Sequence, residues 1–152
     1  MANPLRIGII GTSFVSDWIC EAAKMSESCE ISAVYSRDLA RGKAYAEKQC
    51  IDGCFDDEAA FLSADAIDAV YVASPNTAHY RQTLNALAHG KHVLCEKPLA
   101  INATQAERMI ALAHERGLIL LEAIRPVYDP FLTALKENLH KVGRVRRATF
   151  EF

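Results

Sequence analysis

Glu96-Lys97-Pro98 stands directly after a short apolar run, His92-Val-Leu-Cys95. A charged pair at the end of such a run is unusual for a plain turn. Pro98 biases the preceding residue towards extended backbone, which holds Lys97 in a defined attitude. A lysine so held can polarise a hydroxyl or carbonyl. It can also take part in proton transfer when burial makes its ammonium easier to deprotonate. The chemistry-free alternative is a structural ion pair between Glu96 and Lys97.

Three other segments carry residue types that suit a nucleotide. Gly11-Thr12-Ser13-Phe14-Val15-Ser16 follows the apolar run Leu5–Ile10. In the dinucleotide fingerprint GxGxxG, the first glycine makes a tight turn, the second admits a pyrophosphate to the backbone, and the third lets helix and strand pack closely. Gly11 keeps the first place, and the small residues Ser13 and Ser16 take the second and third. A helix starting there still presents its amino end to an anion. Ser36-Arg37-Asp38 comes about 25 residues after Gly11, near the distance at which such folds read the adenosine ribose. An arginine there pairs with the 2′-phosphate of NADP, whereas a carboxylate takes the ribose hydroxyls of NAD. Ser36 and Arg37 favour NADP, and Asp38 keeps NAD open or simply caps a helix. Ser74-Pro75-Asn76-Thr77-Ala78-His79 supplies an amide at Asn76 and an imidazole at His79 within one helical turn. The plainer roles are an N-cap for Asn76 and a packed ring for His79.

These residues sit at the ends of short apolar runs that alternate with amphipathic stretches. Strands are expected at Leu5–Ile10, Glu30–Ser36, Gly53–Phe55, Ile67–Ala73, His92–Cys95 and Leu118–Ala123. Helices are expected from Val15 to Met25, after Asp38 to Lys48, after Asp56-Asp57-Glu58, from Thr77 to His89, from Asn102 or Ala103 to Arg116, and from Pro130 to His140. Gly90 and Gly117 fall where helices end. The alternation predicts an α/β fold: a doubly wound, mostly parallel Rossmann sheet with helices on both faces. In such sheets, ligands bind beyond the carboxyl ends of the strands where strand order reverses, which is where all four segments fall. Arg144 to Phe152 alternates like an exposed strand and reads as the first element of a further α/β domain otherwise absent.

Length and composition agree. The chain has 152 residues, 51% hydrophobic and 24% charged, enough for one domain with a core. A net charge of −2 gives no reason to expect nucleic acid or an anionic membrane. No apolar stretch approaches the roughly 20 residues that span a bilayer. Met1–Arg6 carries no recognisable targeting signal, so the cytoplasm is the default. Five cysteines without a CxxC pair suggest free thiols, with neither a disulfide framework nor a metal site.

Taken together and in this order, the segments resemble the Gfo/Idh/MocA family (glucose–fructose oxidoreductase, inositol dehydrogenase, rhizopine catabolism). The matching pieces are Arg6–Thr12, Ala33–Arg37, Asp68–Asn76 with His79, and Glu96–Leu99, followed by Glu122-Ala123, Tyr128-Asp129-Pro130 and Val142–Val145. The resemblance implies an NAD(P)-binding Rossmann domain over residues 1–123. Residues 124–152 then form an interdomain helix and the first strand of a truncated substrate domain. It implies hydride transfer between nicotinamide and a sugar, cyclitol or related polyol in a full-length homo-oligomeric enzyme, this portion alone being inactive. It makes Lys97 the catalytic lysine and Glu96 a neighbour of the nicotinamide ribose. Ser74, Pro75, Asn76 and His79 lie along the nicotinamide end. Gly11, Thr12, Ser13, Phe14 and Val15 hold the pyrophosphate, and Ser36 and Arg37 the adenosine ribose or its phosphate. The family's arginine before the Asp129-Pro130 step is replaced by Val127, and Arg125 is the candidate to stand in for it. The alternative is a non-catalytic NAD(P)-binding sensor or scaffold module, and beyond that a fold of this kind that has lost nucleotide binding.

Overall fold

A computed structural model describes residues 3–149. Six strands form one sheet: β1 (Leu5–Ile10), β2 (Cys29–Tyr35), β3 (Gly53–Phe55), β4 (Ala69–Val72), β5 (His92–Cys95) and β6 (Leu120–Glu122). Their order is β3-β2-β1-β4-β5-β6, and all five pairings are parallel. This is the doubly wound order, with its reversal between β1 and β4. The helices are α1 (Phe14–Lys24), α2 (Leu39–Gln49), α3 (Glu58–Ser63), α4 (Asn76–Ala88), α5 (Ala103–Arg116) and α6 (Pro130–Asn138).

The central strand shows why the runs read as they did. All four residues of β4 are buried, so the strand is apolar on both faces. Val70 and Val72 join Phe61 and Leu62 of α3, Ala86 and Leu87 of α4 and Ala113 of α5 in one core. Tyr71 and Ala73 face the other way, onto Cys20 of α1 and Tyr45 and Ala46 of α2. Side-chain alternation along one strand thus supplies both layers.

Local chemistry sets the helix ends. Asp38 accepts from Arg41 N, Asp57 from Ala60 N, Asn102 from Gln105 N and Asp129 from Phe131 N. Each takes a main-chain N–H that the helix itself leaves unpaired. Gly117 closes α5 at φ 63°. At the amino ends of β1 and β4, Arg6 donates to Asp68 from its main-chain N and its guanidinium, at 2.6 Å for the closest pair. Those bonds hold the Asp68 carboxyl well below the usual carboxylate range, at about 2.

The C-terminal expectation needs correction. α6 ends at Asn138 and passes into a 3-10 turn at Leu139–Val142. Residues 144–149 take no regular structure; the rest of the expected strand, 150–152, lies outside the described residues. A strand needs a partner for its N–H and C=O groups, and no described strand pairs with this segment. No described helix is long and apolar enough to cross a membrane, and no described group of His, Cys, Asp or Glu could hold a metal ion.

Candidate functional site

A crevice of about 510 Å³ opens over the carboxyl ends of β1, β2, β4 and β5. Gly11, Ser36, Arg37, Ser74, Asn76, Glu96 and Lys97 all help to line it. It lies across the β1–β4 reversal, where the topology separates neighbouring loops and leaves room for a ligand.

Its floor is the turn after β1. Gly11 holds φ +111°, and a Cβ there would sit 2.6 Å from the Ala73 carbonyl oxygen. Both facts demand glycine. Ser16 is fully buried, and its hydroxyl donates to the Gly11 carbonyl at 3.0 Å. Serine is therefore accommodated in the third fingerprint place, its polar atom satisfied by the turn it packs against. Ser13 precedes α1 without a side-chain cap, so its hydroxyl does not close the helix's amino end to an anion.

Two arginines stand at one end of the crevice. Arg37 and Arg41 both line the crevice and are exposed. Asp38 also lines it, but its carboxylate is engaged in capping α2 at 3.1 Å. Ser36 is buried, and its hydroxyl accepts from Asp38 N at 3.3 Å. Arg41 was not singled out from the sequence. The signal was present, since it follows Arg37 by four residues and so falls one helical turn beyond the strand tip.

At the opposite end, Tyr71 on β4 donates its hydroxyl to Glu96 Oε1 at 2.6 Å, and Lys97 N donates to Glu96 Oε2 at 3.2 Å. Burial and the Glu96 bond push the Tyr71 hydroxyl strongly upward, so it stays a donor. Glu96 is thus oriented by tyrosine and backbone, not by an ion pair with Lys97. Lys97 itself is exposed on the rim. Ser74 donates its hydroxyl to Gln82 of α4, another lining residue the sequence reading passed over.

These features fit a dinucleotide: a glycine-only turn under a helix end, cations at one end, and a carboxylate–lysine pair at the other. The sequence profile described as an oxidoreductase family with an NAD-binding Rossmann fold, Gfo/Idh/MocA, matches residues 5–123. The chain belongs to the Gfo/Idh/MocA family. It is 41% identical over 148 residues to the scyllo-inositol 2-dehydrogenase (NADP(+)) IolU of Bacillus subtilis, covering 97% of this chain and 45% of that protein. It is 35% identical over 158 residues to the dTDP-3,4-didehydro-2,6-dideoxy-alpha-D-glucose 3-reductase of Actinomadura kijaniata, covering 99% and 46%. The crystal structure of KijD10, a 3-ketoreductase from Actinomadura kijaniata, with NADP and TDP-benzene superposes with a TM-score of 0.85 at 35% identity, covering 91% of this chain and 43% of that one. The chain spans about half the length of the relatives it matches.

Within this Gfo/Idh/MocA domain, three expected site residues stand off the crevice wall. Phe14 and Arg125 line a neighbouring hollow of about 950 Å³ that also touches Glu96 and Lys97. Phe14 packs edge-on against Trp18, and the Arg125 guanidinium lies over the Trp18 ring at 5.5 Å. His79 is fully buried behind the wall, its ring nitrogens facing the Pro98 and Ser74 carbonyls at 2.9 Å each. Spacing put His79 one turn into α4, but the rotation of that turn aims the ring inward.

Proposed function

We propose that this chain is the nucleotide-binding portion of an NADP-dependent dehydrogenase acting on a sugar, cyclitol or related polyol, with Lys97 as the catalytic lysine. The observation that carries the reading is the Tyr71–Glu96–Lys97 arrangement on the rim of a crevice whose other end presents Arg37 and Arg41. The substrate class draws support from the polyol and deoxysugar named for the two relatives.

Bound nicotinamide would supply the hydride acceptor or donor. The chain's own residues do the rest. Gly11 shapes the turn, its own N–H donating to the Tyr35 carbonyl, while Thr12, Ser13 and Val15 bring main-chain N–H groups to the pyrophosphate, with Phe14 on the outer side of the same turn. Arg37 and Arg41 pair with the 2′-phosphate and Ser36 with the adenosine ribose, while Asp38 commits Oδ1 to capping α2. Ser74, Pro75, Asn76 and Glu96 border the nicotinamide end. Lys97 reaches the substrate oxygen, polarising a carbonyl or holding the proton of a hydroxyl. Arg125, stacked on Trp18, offers a second cation on the substrate side. Residues 124–152 would lead to a second domain that completes the substrate pocket, and turnover requires groups on both sides of the nicotinamide.

The test is a titration of the purified chain with NADPH and with NADH, followed by nucleotide fluorescence. Tighter binding of NADPH is expected, and binding of neither would refute the site. In the intact enzyme, Lys97→Ala should lower turnover far more than nucleotide affinity. Equal losses in both would argue against catalysis by Lys97. Nucleotide binding without turnover on any polyol would favour a non-catalytic module.

A further inference from the structure

The peptide unit joining Pro98 to Leu99 is gripped at both poles by side chains from elsewhere in the fold. Its carbonyl oxygen faces His79 Nδ1 of α4 at 2.9 Å. Its N–H donates to Glu122 Oε1 at the end of β6, at 2.7 Å. His79 is fully buried, and neither residue lines the dinucleotide crevice. A carbonyl only accepts, so the imidazole is the donor to Pro98, through Nδ1–H.

We propose that His79 and Glu122 are positioning residues that lock the Pro98–Leu99 peptide and thereby fix the seat of Lys97. The inference rests on the catalytic reading of Lys97 given above. A peptide is a rigid plane, so holding its oxygen and its N–H fixes the backbone rotation on either side. Proline already fixes its own φ. From Lys97 to Leu99 the chain therefore keeps little freedom, although the segment is an irregular turn whose first two residues are exposed. The acceptor is a carboxylate, and bonds to ionised partners are shorter and stronger than neutral ones. His79 Nε2 also faces Ser74 O at 2.9 Å, so one ring sits between the loop after β4 and the loop after β5. The two walls of the nicotinamide end are set against each other by a residue that touches no ligand.

Two measurements on the chain test this. The first needs no substitution: the Leu99 amide should exchange with solvent at least about a hundredfold more slowly than an open-loop amide. Exchange at the open-loop rate would overturn the lock. The second follows the NMR signal of Lys97 after reductive ¹³C-methylation. Glu122→Ala should speed Leu99 exchange by about tenfold or more, the value of a hydrogen bond to a charged group, and should move the Lys97 signal. Glu122→Gln keeps an acceptor oxygen and should restore both, and His79→Ala should move the Lys97 signal through Pro98. An unmoved signal in Glu122→Ala and His79→Ala, or a Gln variant as disturbed as the Ala variant, would overturn the proposal. In the intact enzyme, Glu122→Ala should reduce kcat with nucleotide affinity retained. Full turnover in Glu122→Ala beside an inactive Lys97→Ala would sink the lock alone, and full turnover in Lys97→Ala would sink the catalytic reading.

Discussion

Gly11→Ala should damage this protein through a mechanism that a second glycine can isolate. Gly11 and Gly90 both hold positive φ, at 111° and 75°, but nothing lies within 4 Å of a Cβ built at Gly90. Alanine at Gly90 therefore meets only the left-handed backbone cost, about 1–2 kcal/mol. Alanine at Gly11 meets that cost and a collision, because its Cβ would lie 2.6 Å from Ala73 O and 3.0 Å from Ala73 C. Both atoms are backbone at the end of β4, so the strand must retreat, and forced packing of this kind costs about 1–3 kcal/mol more. The gain from stiffening the unfolded chain applies to both variants and cancels in the comparison. At about 2–4 °C per kcal/mol for a domain of this size, Gly11→Ala should melt about 5–15 °C below the parent, and Gly90→Ala only a few degrees below. Thermal unfolding followed by circular dichroism measures this. An NADPH titration of both should show binding weakened at least tenfold (about 1.4 kcal/mol) in Gly11→Ala and unchanged in Gly90→Ala. Equal melting temperatures and equal affinities would refute the close-approach argument.

Arg37→Ala and Arg41→Ala should each weaken NADPH binding by about tenfold, the value of one charge-assisted hydrogen bond, and leave NADH nearly unchanged; an equal loss for both nucleotides would remove the 2′-phosphate assignment. The Arg6–Asp68 pair should give an acid-dependent loss of stability. Asp68 titrates at about 2 when folded, against 3.8 for the free group, so its contribution is complete above about pH 4 and disappears as pH falls towards 2. Unfolding midpoints recorded from pH 5 to pH 2 should fall less steeply in Asp68→Asn, and parallel curves would contradict the assignment.

Sequence pattern and structure agree best where burial is strongest. Val70 and Val72 alternate with Tyr71 and Ala73, and no arrangement other than a strand between two apolar layers suits that run. The caps at Asp38, Asp57 and Asn102 follow from local chemistry, because an oxygen on a short side chain reaches an N–H three residues on. Asn76 shows the limit of the same rule: it is the first residue of α4, with Pro75 before it and no side-chain cap. The site was legible as a set of strand ends, and less so in its directions. His79 has the right spacing for the crevice and the wrong rotation, which only the packing of α4 on the sheet decides. Tyr71 reads as a core residue, and its hydroxyl matters only because the fold brings Glu96 to it across 25 residues. The alternation in 144–149 is present in the sequence, but a strand is a relation between two segments, and no described strand pairs with this one.

The strand order has a mechanical meaning. Consecutive strands build each half of the sheet, β1–β2–β3 on one side and β4–β5–β6 on the other, and β1 with β4 forms the one seam in the sheet between them. Leu5 to Ser63 and Ala69 to Glu122 are thus two interlocking pieces, joined in sequence by the short turn at 64–68. The crevice straddles their joint, with Gly11, Ser36, Arg37 and Arg41 on one piece and Ser74, Asn76, Glu96 and Lys97 on the other. A dinucleotide lying there would act as a rivet: cleaving the turn at 64–68 should leave halves that part more readily, and NADPH should hold them together.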